Sequence, residues 1–499
     1  MIFRPLKRVF LLLAVASVVF VSGAGADDIQ LPDMGSPADA ILSKTTESQI
    51  GRAIMRDIRA SGAVVEDPQL TEYINDIGHR LAAQTNDGDY EFTFFVVDDP
   101  NINAFALPGG YIGVHTGLIE ATRNEDELAG VVAHEIAHVT QRHIARAVHA
   151  NSRQSILTTA LMLGAMVLGA AGGGDAAQGA IAIAQGTAAQ QQINFTRNNE
   201  YEADRIGIHA LAAAGFDPHG MASFFEVLSR QNTRSPELRV PEFLRTHPVT
   251  TARVAEASNR ARSYPRIQSA DTTNYGIAKA RIIAARFDTE ELAVEHFEQR
   301  DYAIQNDEQR YGRAVAYQRA GRHGDARRIF EDLVEKDKKV IAYHIGLGQA
   351  QLALEDYAVG QQTFEAALDL FPRNVPLVIE YGEQLIRLGK ARQAHTMLLD
   401  LMNNVPPTPE QVRLIARAAN EAGDVAESYY YMSEYRLMTG DLIGGINFLQ
   451  QALRLPELQE IQRIRFEARI DFIREFMTEE QLKQLQRSRT TGVTARNSR

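Results

Sequence analysis

The sequence predicts an α+β region that is mostly helical with a small sheet, followed by an all-α solenoid. The 499 residues are too many for one ordinary hydrophobic core, so two or more domains are expected. β-rich segments occur at 90–97 and 111–115, whereas helix-forming residues dominate the second half, with Gly and Pro between them. We therefore predict one domain over 27–268, a second over 269–486 and a flexible tail over 487–499.

The composition excludes several classes of protein. Hydrophobic residues make up 45% of the chain and charged residues 23%, which is typical of globular proteins. The net charge of −11 argues against nucleic acid as a partner, because phosphate binding requires clustered Lys and Arg. The chain has no cysteine, so disulfides, a cysteine nucleophile and a thiolate metal site are all excluded.

Residues 1–26 have the features of a secretory signal peptide. Basic residues precede an apolar run from Val9 to Val21, and residues 24–26 (Ala-Gly-Ala) provide a small-residue cleavage site. A short membrane anchor is the alternative, but an apolar run of 13 residues is too short to span a bilayer. We expect export to the periplasm, although a signal peptide alone does not distinguish the periplasm from full secretion.

Turn residues divide the first region into elements. Two helices are predicted within 48–84, joined near Gly62 and the Asp67-Pro68 pair. Residues 108–110 (Pro-Gly-Gly) predict a turn immediately before the second strand.

A capping signal precedes the next predicted helix. Asn124 can cap this helix, with Glu127 as its reciprocal partner. Another helix is predicted from near Asn199 to near Gly215. The apolar residues that recur at helical spacing in the first of these helices are Leu128, Val132, Ile136 and Val139.

The apolar segment Ile156–Ala171 has three interpretations. It contains 16 residues, with threonines and glycines among them, and is short for a membrane span. A buried core helix or a lid over a cleft is favoured, and peripheral contact with a membrane is the third alternative.

The second region repeats with a period of 34 residues. Residues separated by this interval are Gly348 and Gly382, Phe330 and Phe364, Pro372 and Pro406, and the series Ala326, Gly360 and Ala394. This is the period of tetratricopeptide repeats, in which helical hairpins stack into a curved array with a concave face. Ser428 and Met432 depart from the pattern, and residues 438–456 resume it at a shifted register. The alternative is an unrelated helical domain.

The segment 130–143, GVVAHEIAHVTQRH, combines an apolar helix with titratable side chains. At 100° per residue His134 and His138 lie about 40° apart on one face, with Glu135 beside them and Ile136 directed into the core. Two imidazoles on one face, with a glutamate between them, suit a zinc ion and its water. The alternative is a helix whose histidines are merely solvated or hydrogen-bonded.

A catalytic zinc needs a third protein ligand, and the segment NNEYEAD offers candidates. Glu200 and Glu202 lie about 200° apart on a helix, so both cannot face one ion. Asp204 lies one turn from Glu200, on the same face. We favour Glu200 as the ligand, Asp204 behind a histidine ring and Glu202 as a solvated charge. The alternative is that these residues form an exposed helix face.

These motifs resemble those of zinc metallopeptidases related to the CAAX prenyl endopeptidases and the HtpX heat-shock proteases. The likeness covers roughly Gly51 to Ala257 and rests on NAFALPGGYIGVHTGLI, ELAGVVAHEIAHVTQRH, NEYEAD, and THP followed by Arg253. With the predicted signal peptide and repeats, the whole chain is similar to the periplasmic β-barrel assembly-enhancing proteases. The resemblance implies a zincin-like metallopeptidase domain before the tetratricopeptide-repeat solenoid, one Zn²⁺ per chain, and Glu200 as the third ligand.

The resemblance also implies roles for His247 and Arg253. In the assembly-enhancing proteases the matching histidine can approach the metal as a fourth ligand and hold the enzyme inactive. In the prenyl-type relatives the matching histidine and arginine lie near the reacting carbonyl. The sequence leaves both roles open. His115, His143 and His209 have no motif support for metal binding, and we interpret them as packing or surface residues.

The function expected is that of a zinc-dependent endopeptidase, with Glu135 as general base and a substrate strand added along Tyr111–His115. Unfolded or misassembled polypeptides are the expected substrates. The family relation adds outer-membrane β-barrel proteins and their assembly machinery as partners. The alternative is a non-proteolytic chaperone or assembly scaffold that uses the concave face of the repeats and leaves the metal site idle.

Overall fold

The computed structural model describes residues 42–85, 90–150, 197–234, 241–267, 272–299, 304–477, 479 and 481–485. The predicted signal peptide, the segment Ile156–Ala171 and the predicted C-terminal tail lie outside the described residues. Within the part described, no helix is both long enough and apolar enough to cross a bilayer.

An N-terminal region combines helices with one small sheet. Its helices are α1 (Lys44–Ala60), α2 (Pro68–Ala82), α3 (Thr116–Ala121), α4 (Glu125–Thr140), α5 (His143–Ala150), α6 (Arg197–Ala213), α7 (His219–Arg234), α8 (Glu242–Thr246) and α9 (Thr251–Ala261). Its strands are β1 (Thr93–Val97), β2 (Ala104–Leu107) and β3 (Tyr111–His115). The predicted α+β class, mostly helical with a small sheet, is confirmed.

Local capping explains where the first helices begin. Gly62 has a positive φ of 75° after α1, and the Asp67 carboxylate accepts the N–H groups of Gln69 and Leu70 at the start of α2. This is the predicted junction.

Asn124 caps α4 through the N–H of Glu127, as predicted. The reciprocal partner differs from the prediction, because the Glu127 carboxylate accepts the N–H of Arg123 at 2.7 Å. The start of α4 is therefore fixed by the side chains of Asn124 and Glu127.

The sheet has the order β1-β3-β2, with β3 parallel to β1 and antiparallel to β2. The predicted substrate position along Tyr111–His115 is therefore wrong, because this strand is paired on both sides and has no free edge. The sequence analysis missed β2. Its four residues, Ala-Phe-Ala-Leu, are mostly buried and so do not alternate between apolar and polar.

Helix α4 lies at the centre of the N-terminal region. It packs against α2, α6, α7 and β2, and nearly all its side chains are buried. Gly207 allows α6 to approach closely, since a Cβ there would lie 3.2 Å from the Ala133 carbonyl carbon and the His134 nitrogen. This close packing brings the NNEYEAD segment beside the HExxH motif.

The C-terminal region consists of helical hairpins. Its helices are α10 (Thr273–Ala285), α11 (Glu290–Glu298), α12 (Asp307–Arg319), α13 (His323–Lys336), α14 (Ile341–Ala353), α15 (Tyr357–Leu370), α16 (Val375–Arg387), α17 (Ala391–Asn404), α18 (Pro409–Glu421), α19 (Val425–Met438), α20 (Leu442–Ala452) and α21 (Glu460–Glu475). The first helices of successive hairpins begin at 273, 307, 341, 375 and 409, which are 34 residues apart. Helix α20 begins one residue early, at the shifted register that the sequence predicts. The tetratricopeptide solenoid is thus confirmed.

Helix α10 belongs to both hydrophobic cores. Tyr275, Ala278 and Ile282 pack into the core of the N-terminal region, whereas Ile277 and Ala280 pack into the core of the first repeats. The two regions are therefore joined by a shared helix.

The start of α2 lies against the first helices of several repeats. The Arg281 guanidinium pairs with Asp67, Tyr311 Oη donates to Gln69 Oε1 at 3.3 Å, and Asn374 Nδ2 donates to Glu72 Oε1 at 2.9 Å. These contacts join α10, α12 and the residue before α16 to the start of α2. The repeats are therefore in direct contact with a helix of the N-terminal region.

Candidate metal centre

Helix α4 presents His134, Glu135 and His138 in a buried position. Each of the three side chains is at most 1% exposed. The opposite face of the helix, with Val132 and Ile136, packs into the main core. Helix α4 is thus apolar on one side and carries a buried cluster of titratable groups on the other. Its polar face is therefore directed at an internal site rather than at solvent.

Four residues converge beside this face. One donor atom each from His134, His138, Glu200 and His247 lies within 4.8 Å of all the others. His134 Nε2 is 3.0 Å from His138 Nε2, 3.3 Å from His247 Nδ1 and 3.5 Å from Glu200 Oε2. Glu200 Oε1 is 3.5 Å from His138 Nε2 and 3.2 Å from His247 Nδ1. The structure thus brings together all four residues that the sequence and the resemblance indicate.

The donor set fits a tetrahedral divalent cation. Ligand atoms at about 2.0–2.1 Å from an ion stand about 3.3 Å apart along the edges of a tetrahedron. With Glu200 Oε1 as the carboxylate ligand, four of the six edges are described by the distances above, and all lie between 3.0 and 3.5 Å. In addition, the Nε2 atoms of His134 and His138 face each other, as expected when two lone pairs point at one cation.

The charge states of the donor residues differ, and His134 must lose a proton before it can bind a metal. Burial disfavours a charge on the His134 ring, but Asp204 and Glu200 outweigh burial and raise its pKa to about 9. Burial, together with His134, lowers the pKa of His138 well below its usual value. Burial alone would raise the pKa of Glu200, but His247 and His134 hold it well below its usual range. Glu200 is therefore ionised, as a metal ligand must be.

Asp204 and Arg253 support the cluster from behind. Asp204 Oδ1 lies 3.0 Å from His134 Nδ1, the ring atom that faces away from the other donors. Arg253 donates to both oxygens of Asp204, at 2.8 and 2.7 Å, and its Nη1 lies 2.8 Å from Glu200 Oε2. The Arg253 guanidinium is thus held by two carboxylates. This placement favours a positioning role over the contact with a substrate carbonyl that the prenyl-type relatives suggest.

Glu135 lies between the His247 ring and strand β2. Its carboxylate accepts the N–H of Ala106 in β2, and its Oε1 lies 3.5 Å from His247 Nε2. Among the described residues, Oε1 has no hydrogen-bond partner. Burial raises the pKa of Glu135, against the lowering effect of His247 and His134. A carboxylate that keeps one oxygen available in a buried site can accept a proton there.

His143 was missed as part of this centre. It was interpreted as a packing or surface residue, but its Nδ1 lies 2.8 Å from His138 Nδ1. Glu202 is partly exposed, as expected of a surface charge, but its contacts were not predicted: Glu202 Oε2 lies 3.2 Å from His143 Nε2 and 2.9 Å from Arg146 Nη1. The third histidine of HExxHxxxxH was the available signal. The remaining two residues behave as predicted, with His115 buried at the end of β3 and His209 exposed.

A buried helix with an HExxH motif, facing a glutamate ligand from a later helix, defines the class of metal-dependent peptidases. Comparison with known proteins supports this class. Residues 68–261 match the model of Peptidase family M48. This range contains every residue of the centre described above.

Two bacterial relatives match nearly the whole chain. A chain of Vibrio cholerae serotype O1 is 36% identical over 472 residues, covering 93% of this chain and 96% of the relative. The beta-barrel assembly-enhancing protease of Escherichia coli K12 is 32% identical over 489 residues, covering 95% of this chain and 98% of its own. The mitochondrial metalloendopeptidase OMA1 of Arabidopsis thaliana is 27% identical over 217 residues, 43% of this chain and 41% of its own. The chain therefore belongs to peptidase family M48 and, within it, to the beta-barrel assembly-enhancing proteases.

Proposed function

We propose that the chain is a periplasmic zinc-dependent endopeptidase that degrades misfolded or stalled proteins. The observation that carries this proposal is the tetrahedral spacing of the donor atoms from His134, His138, Glu200 and His247. Two or three imidazoles and one carboxylate are the ligands that zinc prefers when thiolates are absent. When bound, zinc would polarise a substrate carbonyl and lower the pKa of a water molecule.

The chain's own residues would then move the proton. Glu135 takes a proton from the attacking water and passes it to the leaving amine. Asp204 orients the His134 ring, and Arg253 fixes both Asp204 and Glu200. The burial of the whole cluster strengthens each of these interactions by excluding solvent.

His247 holds the proposed enzyme in a latent state. A catalytic zinc site keeps one of its four positions open. Here His247 Nδ1 stands among the other three donors, and its Nε2 faces the general base Glu135. His247 therefore has to leave before a substrate and a water can both reach the centre.

The substrate strand is assigned to the outer edge of β2. Since β3 pairs with one side of β2, the N–H of Ala106, which bonds to Glu135, points away from the sheet and into the site. An extended peptide added along this edge would pass the general base directly. Backbone pairing of this kind selects weakly for sequence, which suits removal of misfolded chains.

The clients are proposed from the relatives. The printed name of the Escherichia coli relative refers to assembly of β-barrels. We assign outer-membrane β-barrel proteins and their assembly machinery as partners on this ground, with the repeats contributing a chaperone-like role. The predicted signal peptide supports the proposed periplasmic location.

Casein digestion by purified protein tests the proposal. Glu135→Gln should reduce the cleavage rate by about 100-fold or more, because the general base is lost, while the metal content stays unchanged.

His247→Ala should cleave faster than the wild type, and a zinc chelator should abolish that cleavage. Wild-type proteolysis by Glu135→Gln would contradict the general-base assignment, and an unchanged or lower rate in His247→Ala would contradict the latent state.

A further inference from the structure

The two ligand histidines of α4 are supported in different ways. His134 Nδ1 faces the carboxylate of Asp204 directly, at 3.0 Å. His138 Nδ1 faces another imidazole, at 2.8 Å from His143 Nδ1. A neutral imidazole can accept the ring proton of a ligand histidine only if its own ring proton lies on the other nitrogen. The support of His138 by His143 therefore depends on what fixes the ring proton of His143.

The position of the metal donors fixes which ring nitrogen donates and which accepts in this contact. His138 turns its Nε2 toward the other metal donors, so that nitrogen must carry a lone pair and the ring proton lies on Nδ1. His138 Nδ1 therefore donates to His143 Nδ1. The proton of His143 must then lie on Nε2, which is 3.2 Å from Glu202 Oε2. The chain of hydrogen bonds ends on a carboxylate, as it does at His134.

Glu202 is held in place by a cation. Arg146 Nη1, one turn after His143 on α5, lies 2.9 Å from the same Glu202 oxygen that faces His143. The acceptor at the end of the chain is thus anchored beside a cation.

The backbone between α4 and α5 directs His143 back toward His138. Arg142 has a positive φ of 54°, a left-handed conformation that is unfavourable for a residue with a side chain. Its guanidinium donates to Leu42 O at 2.6 Å and lies 3.2 Å from Glu47. These contacts hold the turn between α4 and α5, and His143 is completely buried beneath this turn.

We propose that His143 is a positioning residue for the metal ligand His138, and that Glu202 acts on the metal centre through His143. The pair fixes the orientation and tautomer of the His138 ring and makes it a stronger ligand. The inference deepens the proposed function, because it rests on His138 binding the metal.

Zinc affinity of the full chain, measured by competition with a chromophoric chelator, tests this role. His143→Phe keeps a planar aromatic ring, though a larger one, but removes the acceptor, and it should raise the zinc Kd by about 10- to 100-fold. His143→Asn places an amide oxygen where Nδ1 stood and should recover part of the affinity. Glu202→Ala should weaken binding, and Glu202→Gln should do so less, because an amide oxygen still accepts from His143. His209→Phe, on the exposed face of α6, is the matched control and should bind as the wild type.

Two further readouts separate positioning from a merely structural role. The visible spectrum of the Co²⁺-loaded protein should change in His143→Phe, because the geometry of one ligand changes. Glu202→Ala should have no further effect on the zinc Kd when His143 is already Phe. Unchanged zinc affinity and an unchanged Co²⁺ spectrum in His143→Phe would overturn the proposal, as would equal effects of Glu202→Ala in both backgrounds. In that event a wild-type chain that binds zinc and cleaves casein would leave the proposed peptidase function intact.

Discussion

Arg253 joins the two carboxylates that support the metal centre. Its side chain is 3% exposed, and its guanidinium contacts Asp204 with two nitrogens and Glu200 with a third. It also lies 5.0 Å from the centre of the Phe225 ring, which excludes water on that side. The attraction between the buried cation and the two buried carboxylates offsets the cost of removing these charges from water. If one of the three groups is lost, the remaining charge is buried without compensation.

Loss of this cation should be costly for folding. Arg253→Met, which keeps the side-chain length, leaves Asp204 and Glu200 without their counter-charge and should lower the free energy of unfolding by about 3 kcal/mol. Urea unfolding, followed through the first transition, measures the change. Arg230→Met is the control, since Arg230 pairs with Glu226 on the exposed face of α7, and its loss should change the free energy of unfolding by about 0.5 kcal/mol or less. Equal losses in the two variants would contradict the buried role of Arg253.

At the scale of the element, the turns inside four of the repeat hairpins, from α12 to α19, share one backbone conformation. Gly321, Gly389 and Gly423 have φ values of 71°, 72° and 90° at equivalent positions, 34 residues or a multiple apart. The fourth of these positions is Glu355, with a φ of 65°. A residue with a Cβ pays for this conformation, whereas glycine does not.

Glu355→Gly should therefore stabilise the repeat region, by about 1 kcal/mol. The reciprocal variant Gly389→Glu should destabilise it by a similar amount, because it introduces the same strain one repeat later. Thermal unfolding of both variants beside the wild type provides the comparison. A lower midpoint for Glu355→Gly would show that the Glu355 side chain contributes more than the strain costs.

At the scale of the whole molecule, a buried polar cluster lies where the repeats meet α2. Arg281 of α10 pairs with Asp67 at the start of α2, and the carboxylate of Glu380 in α16 lies near both. Burial, outweighing Arg281, raises the pKa of Glu380 to about 7. Since Gln349 also donates to Glu380, at 2.6 Å, this cluster links four elements across the junction.

The cluster should make stability depend on pH near neutrality. Because the folded pKa of Glu380 is higher than the unfolded value of 4.5, the folded state binds the extra proton between these two values. Its contribution to stability is fully present below pH 4.5 and is lost as the pH rises through about 7. The thermal midpoint of the wild type should fall between pH 5 and pH 8, and that of Glu380→Gln should fall less. Parallel pH profiles for the two proteins would contradict the raised pKa.

Much of this molecule could be predicted from the sequence, because several signals are local. The 34-residue period, the Asp67 cap and the helical spacing of His134 and His138 each depend on residues close together in the chain. The prediction of Glu200 as a ligand required only the helical geometry of one further segment.

What could not be predicted depends on tertiary contacts. Strand β2 is short and buried, so it carries no alternating pattern, and its pairing makes β3 a central strand. The contact between His143 and His138 depends on the reversed backbone at Arg142, and Glu202 meets His143 only after α5 packs near α6. The docking of α2 against the repeats likewise joins residues more than 200 positions apart.

The central claim is that His134, His138 and Glu200 hold one catalytic zinc ion. Elemental analysis of the purified, untagged protein, with Glu200→Ala prepared in parallel, tests it most directly. We expect about one zinc per chain in the wild type and a large loss in Glu200→Ala, because removal of one of three ligands opens the site. A wild-type protein without bound transition metal, or a Glu200→Ala variant with full zinc content, would contradict the claim.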